Sequence, residues 1–72
     1  MAWTSDTDQQ YTVAQGRCQG LVWQHLHGDW AALVSRDGRA VSQDNFPTLA
    51  DAQAWCETQL ADLAAAGRCA QE

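Results

Sequence analysis

At 72 residues the chain holds one small domain, since a chain of this size buries only about 60% of its unfolded surface and has no material for a second core. Nine Asp and Glu against four arginines and no lysine give a net charge of -5. That balance cannot supply the roughly six to ten cations of a duplex-DNA surface, so direct nucleic-acid binding is not expected and a cationic partner surface is favoured. No run approaches the roughly 20 apolar residues of a membrane span, and MAWTSDTDQQ lacks the basic and apolar regions of a signal peptide. Three cysteines, an odd number, suit a reducing compartment, so a cytoplasmic protein with free thiols and no disulfide is expected.

In chain order, the expected architecture is α+β: a three-stranded antiparallel meander packed on one C-terminal α-helix, in a single domain over 1–72. Within residues 1–19, Ser5 and Asp8 suit a capping box for a short helix, whereas Tyr11, Thr12 and Val13 suit an edge strand, and the two alternatives stay open. Residues 20–44 carry the sheet. GLVWQHL and DWAALVS flank His27-Gly28, and the second run joins RAVSQ through Asp37-Gly38, a dipeptide made for hairpin turns. Two-residue turns at both places would oppose Trp23 to Ala32, Val34 to Val41 and Arg36 to Arg39. Leu21, Trp23, Trp30, Ala32, Val34 and Val41 would then form the core face. The other face, with Val22, Leu26, Ala31 and Leu33, is too apolar for water, and homodimerisation through it is expected.

The helix is expected over 48–66, with Thr48 as N-cap and Gly67 as the left-handed terminator. Leu49, Ala52, Cys56, Leu60 and Leu63 recur at helical spacing as its buried stripe, which makes Cys56 a core thiol. Residues 68–72 are expected to fray.

The chemistry-bearing side chains do not assemble into an expected active site. Cys18, Cys56 and Cys69 lack the paired knuckle spacing of a zinc site, and His25 and His27, two apart on a strand, read as ordinary hairpin histidines. Cys18 with His25 makes a nucleophile and base only on paper, and the glycines stand singly at turns with no phosphate loop. No catalytic residue, metal or cofactor is expected. What remains is a second helix stripe: Asp51, Trp55, Thr58 and Asp62 fall within about 60° of one another, with the two carboxylates about 16 Å apart along the axis. A tryptophan between carboxylates suits a docking surface for arginine or lysine on a partner. The competing reading folds Trp55 over the sheet edge as core and leaves the acids to solvate the helix.

The pattern W-x-A-x-V-x-x-x-G followed by F-x-T-L-x-x-A-x-x-W is carried by Trp30, Ala32, Val34, Gly38, Phe46, Thr48, Leu49, Ala52 and Trp55. It resembles the three-stranded-sheet-plus-helix arm-binding domains of phage-type recombinases. Those domains read DNA with basic residues on the sheet, whereas this chain has Asp29, Asp37 and Asp44 there. In size, acidity and tryptophan content it is also similar to phage and mobile-element accessory proteins of the anti-CRISPR type. That resemblance implies a non-enzymatic inhibitor, working in the host cytoplasm, whose acidic surface occupies a basic surface of a host nucleic-acid-binding protein. The alternatives are a small DNA-binding or recombination-accessory domain using Arg36 and Arg39, and a structural homodimer.

Overall fold

The computed structural model describes residues 3–36 and 38–69. Five strands pair in chain order into one antiparallel sheet: β1 (Thr4–Thr7), β2 (Gln10–Gln15), β3 (Cys18–Gln24), β4 (Trp30–Arg36) and β5 (Arg39–Phe46). The single helix, α1 (Leu49–Ala65), packs on one face. The expected three-stranded sheet is thereby corrected to five strands. The N-terminal segment is neither a short helix nor a lone edge strand but a hairpin, with β1 on the edge and β2 paired along its whole length to β3. Tyr11, Thr12 and Val13 are strand formers, and Val13 is buried on the helix side, so burial adds to propensity there.

A second correction concerns register. Trp23 pairs with Ala31 and Gln24 with Trp30, one residue away from the expected alignment. The turn is longer than two residues: the His25 amide donates to Asp29 O at 2.7 Å and the Gly28 amide to His25 O at 2.9 Å, with Gly28 at φ 103. A three-residue loop, Leu26-His27-Gly28, closed by a glycine in the left-handed region therefore replaces the two-residue His27-Gly28 turn. Because side chains alternate along a strand, one residue of slip turns all of β3 over. Val22, expected on the outer face, is fully buried on the helix side in the same row as Tyr11 and Ala32, while Leu21 and Trp23 face outward. On the β4–β5 side the register is the expected one, Val34 opposite Val41 and Arg36 opposite Arg39; Asp37 lies outside the described residues.

The helix matches its punctuation. Thr48 Oγ1 accepts from the Asp51 amide at 3.2 Å. At the other end the Gly67 amide donates to Ala64 O and the Arg68 amide to Leu63 O, the paired bonds of a Schellman terminus, with Gly67 at φ 74. Ala52, Cys56 and Leu60 are fully buried, flanked by half-buried Leu49 and Leu63, as the stripe predicts. The helix packs over Gly20, where a Cβ would stand 3.4 Å from Leu60 Cδ1 and 3.6 Å from Cys56 Cβ on the helix, and 3.0 Å from Val13 Cγ1 on β2.

The third correction concerns cysteine. Cys18 and Cys69 form a disulfide that ties the chain beyond the helix to the start of β3, across a separation of 51 residues. Both are buried, so residues 68 and 69 do not fray as expected; residues 70–72 lie outside the described residues.

Candidate docking surfaces

The outer stripe of α1 comes from helical periodicity alone, and three of its four residues stand in solvent: Asp51, Thr58 and Asp62 are exposed. Asp51 sits in the first turn, where the unsatisfied amides of the helix N-terminus favour its negative charge. Thr58 Oγ1 donates back to Ala54 O at 2.9 Å, leaving its oxygen free to accept. Among the described residues no arginine forms an ion pair with Asp51 or Asp62. Trp55 is half-buried, its ring 6.1 Å from that of buried Phe46 at an interplanar angle of 51°. It leans on the core with one flank and borders the acidic stripe with the other. Glu57, on a neighbouring flank, is engaged by Trp3, whose Nε1 donates to Oε2 at 3.0 Å.

The four residues expected at a dimer interface do not share a face. Val22 is inside, and Leu26 is fully exposed at the tip of the β3–β4 turn. Ala31 is buried outside the helix-side core and Leu33 is half-buried, these two belonging to the open sheet face. That face bears a shallow depression of about 440 Å³ whose lining includes Leu21 and Leu33 with Gln10, Thr12, Gln19 and Ser35.

At one end of the open face the structure gathers side chains that sequence reasoning treated as unrelated. His25 and His27 stack with ring centroids 5.1 Å apart and 8° between planes, and Trp23 meets His25 edge-on at 6.2 Å. His25 Nε2 lies 3.2 Å from Asp44 Oδ1, and His27 Nε2 lies 3.5 Å from Asp29 Oδ2. A bulge aims Asp44: the β4–β5 register shifts between Trp30 and Ala32, with Asn45 at φ 69. A Trp–His–His cluster edged by carboxylates results, and no three metal-binding groups converge among the described residues.

Neither described thiol site is nucleophilic. Cys18 is oxidised with Cys69, so the paper pair of Cys18 and His25 does not exist in this state. Burial pushes the Cys56 thiol up to about 11, keeping it protonated at neutral pH. The remaining feature, unseen in the sequence, is a groove of about 500 Å³ between β5 and the C-terminal half of α1, lined by Val34, Arg36, Arg39, Val41, Gln59 and Leu63. The expected register already placed Arg36 opposite Arg39, and that like-charge pair was the signal for it.

Comparison with known proteins gives no relative: no family model matches the chain, and neither a curated protein nor a solved structure is significantly similar to it.

Proposed function

We propose that this chain is a non-enzymatic binding module that docks the acidic outer face of α1 on a basic surface of a nucleic-acid-binding protein, the action of a phage-type inhibitor. The observation that carries the reading is the exposure of Asp51 and Asp62, unpaired with any described arginine and ranged along one rigid helix beside the accessible flank of Trp55. Carboxylates held this way form charge-assisted hydrogen bonds with guanidinium or ammonium groups that otherwise meet phosphates, so partner binding and nucleic-acid binding compete. The DNA-binding alternative draws no support from the geometry. No strand residue on the open face is a cation, and Arg36 and Arg39 stand on the helix side.

The reading is a cytoplasmic one, and disulfides such as Cys18–Cys69 persist in oxidising compartments. The Cys18–Cys69 bond therefore counts against the cytoplasmic placement, whereas docking through the helix stripe does not depend on it. Thiol counting on protein taken from the cytoplasm under denaturing alkylation reads the state of the pair directly. The functional test is cross-linking capture with the wild type and the Asp51→Asn/Asp62→Asn variant in parallel. A nucleic-acid-binding protein captured by the wild type, lost with the variant and released by added DNA or RNA is the expected result. Capture indifferent to both changes would overturn the reading.

A further inference from the structure

We propose that the free edge of β5, together with the groove between β5 and α1, is a docking site for an extended peptide that carries an aliphatic and an acidic side chain two residues apart. The site is separate from the helix stripe and does not depend on its role.

β5 ends the sheet, so alternate residues along it turn their N–H and C=O groups away from β4 with no strand among the described residues to receive them. The two edges differ. β1 is four residues long and irregular between Ser5 and Thr7, whereas β5 runs in unbroken register from Arg39 to Gln43 before its bulge. Such an edge receives an added strand through main-chain hydrogen bonds, and specificity comes from what lies under alternate side chains.

Two successive rows lie on the helix side of this edge. Val34 and Val41 face each other, with Val41 57% exposed although its partner is buried. One step toward the turn, Arg36 faces Arg39, and neither has a carboxylate partner among the described residues. Like charges directly opposed across a hairpin destabilise it, and an anion between them reverses the sign. Rows two residues apart on β4 and β5 match side chains two residues apart on an added strand, because these share a face. The row order sets the motif: an aliphatic side chain over Val41 and Leu63, and a carboxylate at the two guanidiniums. A second copy of this chain fits poorly, since β5 paired with β5 would bring another Arg39, and the strand's one carboxylate, Asp44, already sits 3.2 Å from His25 Nε2.

The test uses the fluorescein-labelled peptide Thr-Glu-Thr-Val-Thr-Glu-Thr, blocked at both ends so that only side chains carry charge and either strand direction satisfies the motif. Anisotropy with the full chain is expected to give saturable binding that weakens at least fivefold when both Glu are Gln, and again with the Arg36→Gln/Arg39→Gln variant. Methylating alternate backbone nitrogens of the peptide leaves its charge intact and removes its strand donors, and is expected to abolish binding. No saturation at millimolar chain, or binding that survives methylation, would overturn the proposal. So would loss of peptide binding as the chain dimerises in sedimentation, since that would put a second copy on the edge.

Discussion

Over β3 the helix packs directly on a glycine, whereas over β5 it leaves a groove. The difference begins with residue size. On β3 the helix side presents Cys18, Gly20 and Val22, and Gly20 lets Cys56 and Leu60 come down onto the strand. On β5 it presents Arg39, Val41 and Gln43, and the strand is exposed from Arg39 to Asn45. The disulfide acts on the packed half, holding the chain beyond the helix against the start of β3. One sheet face thus contains both a sealed core and an open site, and three experiments probe the boundary between them.

The largest effect is expected from the disulfide. Replacing both Cys18 and Cys69 with Ala frees a loop with a separation of 51 residues, and chain-entropy reasoning gives a loss of about 4 kcal/mol, much of the stability of a domain this small. Denaturant titration of the wild type and the variant measures it. A variant as stable as the wild type would show that the packed half holds without its tether.

The helix was legible in the sequence because its signals are local: Thr48, Gly67 and one apolar stripe mark it completely. The β4–β5 pairing was legible for the same reason. The β3–β4 register was not, since His27-Gly28 reads equally as a two-residue turn or as the last two positions of a three-residue loop. The sequence offers no local means to choose, yet the choice inverts β3 and moves Val22 from surface to core. The β1–β2 hairpin turns through Asp8-Gln9, which carries no glycine signal, and the Cys18–Cys69 pairing depends on how the finished fold brings distant segments together. Of the candidate surfaces, the acidic stripe followed from helical geometry, whereas the depth of Trp55 depends on Phe46 across a tertiary contact that no pattern announces.

A middle-sized effect is expected from alkali. Burial raises the Cys56 thiol from 9.0 to about 11, so the folded chain holds this proton more tightly than the unfolded one. The stabilisation is complete below the unfolded value and is lost as pH climbs through the folded one, roughly 2 kcal/mol by about pH 10.5. Cys56→Ala removes the titrating group, so its stability should fall less than the wild type's between pH 8 and that point. Parallel slopes for the two proteins would show that the thiol reaches water and that the helix is less tightly seated over β3 than described.

The smallest effect is expected on the open side. Val41 is as aliphatic as Val34 opposite it, yet one is 57% exposed and the other 3%. If the groove is a permanent feature of the folded chain, Val41→Thr keeps the β-branched shape that suits a strand, puts the hydroxyl into water, and changes stability by no more than about 0.5 kcal/mol. The same change at Val34 strands a hydroxyl in the core and is expected to cost about 1–3 kcal/mol. Equal costs at the two positions would mean that α1 swings over β5 in solution and closes the groove, and the contrast between the halves would disappear. A near-zero cost at Val41, combined with weaker binding of the Thr-Glu-Thr-Val-Thr-Glu-Thr peptide, would assign that exposed side chain to recognition rather than to folding.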